Sequence, residues 1–64
     1  MFSTKSKLKL ARERKGLTQE ELANKINISR AYLSHIESGN HGPSLKVAVK
    51  IAKELGMKVE ELFL

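Results

Sequence analysis

Thr18-Gln-Glu-Glu-Leu-Ala-Asn-Lys-Ile-Asn-Ile-Ser-Arg-Ala-Tyr-Leu-Ser-His-Ile-Glu37 is the stretch that decides the fold. Thr18 can cap a helix while Glu21 reaches back to complete a capping box. Leu22, Ala23 and Ile26 then fall on one helical face. Asn27 ends that helix, because the turn needs a residue that tolerates left-handed backbone angles and Asn is the best choice after Gly. Ser29 restarts the chain as a second N-cap, and Leu33 and Ile36 supply the next buried stripe. The spacing predicts helices over 18–26 and 29–37, with Arg30, Ala31, Tyr32, Ser34 and His35 left on an outward face.

The flanks read as helices too. Residues 5–15 place Leu8 and Ala11 for burial and end at Gly16. Ser38-Gly39-Asn40-His41-Gly42-Pro43 is the one clear irregular segment, with two Gly and a Pro to redirect the chain. Ser44 caps a fourth helix running to Leu55, whose predicted stripe is Leu45, Ala48, Ile51, Ala52 and Leu55, with Gly56 as the stop. A short fifth helix is expected over Val59 to Phe63. No internal repeat, linker or low-complexity stretch interrupts the pattern.

Composition narrows the possible functions. A chain of 64 residues is expected to be one domain, near the lower limit for a hydrophobic core. Cys is absent, as is Asp, and there are only two His, so the usual nucleophile and metal arrangements lack members. An enzyme, a metal site and a cofactor are therefore not expected. No apolar run approaches the ~18 residues needed to span a bilayer, and the expected address is the cytoplasm. The net charge is +5, unevenly placed. Lys5, Lys7, Lys9, Arg12, Arg14 and Lys15 face one acid, Glu13, in residues 5–15, whereas residues 18–43 hold Lys25 and Arg30 against Glu20, Glu21 and Glu37. Attraction to phosphates must then come from the first helix, from amides at helix starts and from scattered Lys residues.

Two short helices joined by a tight turn are a device for placing the second in a DNA groove. The segment resembles the helix-turn-helix of phage-repressor and Cro-like DNA-binding domains. Lys15-Gly16-Leu17-Thr18-Gln19-Glu20-Glu21-Leu22-Ala23 lies ahead and Ile36-Glu37-Ser38-Gly39 behind. The likeness continues through Pro43-Ser44-Leu45 and Ile51-Ala52-Lys53-Glu54-Leu55-Gly56, about residues 5 to 63. It implies an all-α, compact five-helix lambda-repressor-like domain, with the helix-turn-helix at the second and third helices. Family members often have Ser or Thr before the fifth helix, where this chain has Lys58.

The resemblance assigns roles residue by residue. Base contacts fall to Arg30, Ala31, Tyr32 and His35. Arg30 can donate two parallel hydrogen bonds to guanine O6 and N7, and Ala31 can meet a thymine methyl. Tyr32 offers a ring and a hydroxyl, and His35 can donate or accept. Backbone contacts fall to Thr18, Gln19, Ser29, Asn40 and His41, with His41 where related loops commonly carry Arg or Lys. Lys7, Lys9, Arg14 and Lys46 either add phosphate contacts or form a solvated face. Arg12 and Glu37 match an Arg and Glu that similar domains pair, a structural role.

One helix reads few base pairs, so a homodimer on a palindromic double-stranded DNA operator is expected. Met57, Phe63 and Leu64 are the interface candidates, since the C-terminus carries more apolar surface than a short helix needs. The expected function is a transcriptional regulator, a repressor or autoregulator with no small-molecule ligand. The string Arg30-Ala31-Tyr32-Leu33-Ser34 is similar to that of controller proteins of restriction-modification systems. Phage repressor, plasmid regulator and antitoxin stay open alternatives. So does a protein-interaction module built on the same helices.

Overall fold

The computed structural model describes residues 7–40 and 42–63. Among them the chain forms α1 (Lys7–Arg14), α2 (Gln19–Ile26), α3 (Arg30–Ser38), α4 (Leu45–Leu55) and α5 (Val59–Phe63). The all-α architecture expected from the hydrophobic periodicity is the one observed. The expected start of α1 at residue 5 lies outside the described residues.

Local chemistry accounts for the helix starts. Thr18 Oγ1 accepts from the Glu21 amide at 3.0 Å, while the Thr18 amide donates to Glu21 Oε1 at 2.8 Å, closing a capping box. Ser29 Oγ accepts from the Tyr32 amide at 3.0 Å and Ser44 Oγ from the Val47 amide at 3.2 Å. α5 has only half of this device. Lys58 has no side-chain oxygen, so the Glu61 amide donates to the Lys58 carbonyl instead at 3.0 Å. The Glu61 carboxylate still accepts from the Lys58 amide at 2.8 Å.

The ends of α1 to α4 share one form. Asn27, at φ 61° and ψ 48°, is the one non-glycine residue in left-handed conformation among the described residues. The next amide, that of Ile28, then reaches back to the Ala23 carbonyl at 3.0 Å. Leu17 and Met57 make the equivalent bond after Gly16 and Gly56, to Arg12 and Ala52. Leu17, Ile28 and Met57 all pack on the core, the apolar contact that accompanies this kind of stop.

The core joins all five helices. Leu8 and Ala11 of α1, Leu22, Ala23 and Ile26 of α2, and Leu33 and Ile36 of α3 meet Ile51, Ala52 and Leu55 of α4 and Leu62 of α5. α2 packs on α3 and α4, and α5 closes against α1 and α4. One expectation fails here. Leu45, predicted for the α4 stripe, is 75% exposed. Periodicity states which side of a helix a residue occupies, not whether another element extends over it, and the first turn of α4 has no such cover at Leu45. Val47 packs on the core at that end instead. Among the described residues, no helix is long and apolar enough to cross a membrane.

Candidate nucleic-acid interface

The candidate interface is built on α3. Leu33 and Ile36 are buried against the core, which fixes how the helix is rolled. That roll leaves Arg30, Ala31 and His35 exposed, and Tyr32 half-buried with its ring packed on the core. Arg30 and Ala31 are the first two residues of the helix, where the amides have no carbonyl a turn earlier to donate to. Gln19 and Glu20 hold the same position on α2, and Leu45 and Lys46 on α4. Such helix starts favour anions through oriented amides and the helix dipole.

Behind this surface lies a buried polar cluster. Arg12 and Glu37 are each 6% exposed. Arg12 Nε donates to Glu37 Oε2 at 2.6 Å and Arg12 Nη2 to Oε1 at 3.2 Å, a bidentate pair joining α1 to the end of α3. Arg12 Nη1 also donates to the Leu17 carbonyl at 2.6 Å, which fixes the loop into α2. Gln19 enters the same cluster: its Nε2 donates to Glu37 Oε1 at 3.0 Å. Among the described residues no buried side-chain nitrogen or oxygen lacks a hydrogen-bond partner. That is the condition under which a desolvated ion pair is tolerated in a small core.

The remaining predicted positions divide as follows. Thr18 and Ser29 are exposed and spend their hydroxyls as helix caps. Asn40 is exposed just after α3, its amide bonded to the His35 carbonyl at 3.0 Å. Lys7, Arg14 and Lys46 are exposed and Lys9 is half-buried. Met57 and Phe63 are half-buried on the core, so part of their apolar surface is already in use. Among the described residues the exposed large apolar side chains are instead Leu10, Leu45 and Val49. His41 and Leu64 lie outside the described residues.

Sequence reasoning did not single out Ser34 and Ser38 as site residues. With Lys9, Gln19 and Glu37 they line a notch of about 190 Å³ between α1, the start of α2 and α3. Their spacing of four on α3 could have flagged them as one edge. What a sequence cannot supply is that α1 and α2 face that edge.

No group of His, Cys, Asp or Glu suited to a metal occurs among the described residues. An exposed helix face backed by a rigid core, with open amides at helix starts and a basic first helix, suits a polyanion. The comparisons agree. A family model described as helix-turn-helix matches residues 8–62. A transcriptional regulator of the same type from Methanocaldococcus jannaschii is 50% identical over 60 residues, covering 94% of this chain and 91% of its own. The restriction-modification controller protein C.AhdI from Aeromonas hydrophila superposes with a TM-score of 0.82 at 37% identity, covering 89% of this chain and 86% of that one. SinR, a master regulator of biofilm formation solved in complex with DNA, gives 0.80 at 32% identity, over 86% and 92%. The chain belongs to the helix-turn-helix family of DNA-binding transcriptional regulators.

Proposed function

We propose that this chain is a regulator that binds a palindromic operator as a homodimer, with α3 of each copy in the major groove, and represses or autoregulates a nearby promoter. The observation that carries the reading is the roll of α3. Burial of Leu33 and Ile36 turns Arg30, Ala31 and His35 outward together, and Tyr32 borders them. In this reading Arg30 grips a guanine edge, Ala31 meets a thymine methyl and His35 contacts a base one turn on. Tyr32 contributes its hydroxyl while its ring stays on the core.

Thr18, Gln19, Ser29, Asn40 and His41 meet phosphates, which set register without reading sequence. Arg12 and Glu37 hold α3 at a fixed angle to α1. The dimer uses Met57, Phe63 and Leu64 and sets the two reading helices about 34 Å apart, one turn of B-DNA. The restriction-modification controller protein among the structural neighbours supports the regulator reading.

The test is Arg30→Ala, measured on an operator and on random duplex at one salt concentration. A bidentate Arg–guanine contact is worth about 1–3 kcal/mol of discrimination. The expected result is a loss of operator affinity of about tenfold or more, with the helical circular dichroism spectrum unchanged. An unchanged ratio of operator to random affinity removes Arg30 from base reading.

A further inference from the structure

The buried cluster contains one bond beyond the Arg12–Glu37 ion pair and the Arg12–Leu17 bond, and it comes from α2. Gln19 stands at the first turn of α2, half-buried, where it could have extended into solvent. Its Nε2 is instead held by Glu37 Oε1 at 3.0 Å, the same oxygen that accepts from Arg12 Nη2 at 3.2 Å. Glu37 thus takes up donors from α1 and α2 while sitting near the end of α3.

An amide nitrogen carries two hydrogens in one plane. With one committed to Glu37, the rotation of the Gln19 amide is set, and the second hydrogen points away from the carboxylate. Gln19 also lines the notch that Lys9, Ser34 and Ser38 share with Glu37. The notch adjoins the open amides at the start of α2, where an anion is favoured.

We infer that Glu37 is a positioning residue for DNA binding: by holding Gln19, it aims that amide at a phosphate and fixes the spacing between this anchor and the base-reading side chains of α3. Arg12 neutralises the Glu37 carboxylate, so an approaching phosphate meets a compensated pair rather than a bare negative charge. Without the bond, Gln19 would sample several rotamers, and ordering it on DNA would reduce its contribution to affinity. The inference rests on the DNA-binding reading, and in particular on Gln19 meeting a phosphate.

The experiment compares two backgrounds that both lack the ion pair and keep side chains of similar length. Arg12→Met with Glu37→Gln retains an amide oxygen that can accept from Gln19; Arg12→Met with Glu37→Met does not. Replacing both charges together avoids a stranded buried Arg, the defect most damaging to the fold. Gln19→Ala is introduced into wild type and into each background, and affinity for random duplex is measured at one salt concentration after circular dichroism has established folding.

The expected result is a loss of about tenfold from Gln19→Ala in wild type and in the background carrying Glu37→Gln, falling to less than about twofold in the background carrying Glu37→Met, where no acceptor remains. Equal losses in the two double-substituted backgrounds overturn the positioning role. So does a Gln19→Ala variant that binds as tightly as wild type, which removes the phosphate contact itself. Absence of DNA binding by wild type would be a different failure, that of the functional reading on which the inference stands.

Discussion

Truncating Glu37 to Ala removes the counter-ion of a guanidinium that is 6% exposed and leaves Arg12 with the part-buried Leu17 carbonyl as its remaining acceptor. The bidentate bonds at 2.6 and 3.2 Å and the Gln19 bond at 3.0 Å are lost together. Breaking a buried pair by removing one partner costs about 3–5 kcal/mol, because the surviving charge stays desolvated. At about 0.05–0.15 kcal/mol per residue, a chain of this length holds only about 3–10 kcal/mol. The single substitution therefore consumes a third or more of the total. In urea, with a slope of about 1 kcal/mol/M for a domain this small, the midpoint should fall by about 3 M, or the variant should be unfolded without denaturant. Circular dichroism during urea titration reads this directly. The matched control is Arg12→Met with Glu37→Met, which removes both charges and should lie within about 2 kcal/mol of wild type. A loss below about 1 kcal/mol for Glu37→Ala, the value of an exposed pair, would refute the claim that this cluster is desolvated.

Three other outcomes follow from the helix ends. Asn27→Ala should destabilise by about 1 kcal/mol in thermal melts while Asn27→Gly should not, because at φ 61° the short polar side chain of Asn eases a left-handed backbone by local hydrogen bonding, Ala offers no such relief, and glycine adopts it without a Cβ. Lys58→Ser should stabilise by about 0.5–1 kcal/mol in the same melts, since a hydroxyl there can take the Glu61 amide that now turns to the Lys58 carbonyl. The Thr18 amide and hydroxyl, with a smaller contribution from Lys25, hold the Glu21 carboxyl below the ordinary carboxylate value of 4.5. A depressed folded pKa stabilises above the unfolded pKa, and that stability is lost as pH falls through the folded value. Wild type should accordingly lose melting temperature on acidification below about pH 4.5 more steeply than Glu21→Gln does.

Local signals in this chain were legible because they act over three or four residues. Thr18 with Glu21, Asn27, Ser29, Ser44 and Gly56 each state where a helix starts or stops, and the structure uses each as such. The stripes of α2 and α3 were legible for the same reason. Leu45 shows where this reasoning stops. Its phase on α4 was right for the core, yet burial depends on what lies opposite, and that is a property of tertiary packing. The half-burial of Met57 likewise follows from its place one residue beyond a left-handed Gly, where an apolar side chain folds back on the helix it ends. Composition alone counts it as surplus surface. Gln19 belongs to a third kind: its place at a helix start was evident, but its bond to Glu37, eighteen residues away, depends on how α2 and α3 are juxtaposed.

The most direct test of the account is selection of bound sequences from a random duplex pool, followed by titration of the recovered sequence at two salt concentrations. Recovery of a palindrome with half-sites one helical turn apart, bound with a steep loss of affinity as salt rises, is the predicted result. A pool that shows no enrichment, with no salt-dependent binding of any duplex, would contradict it.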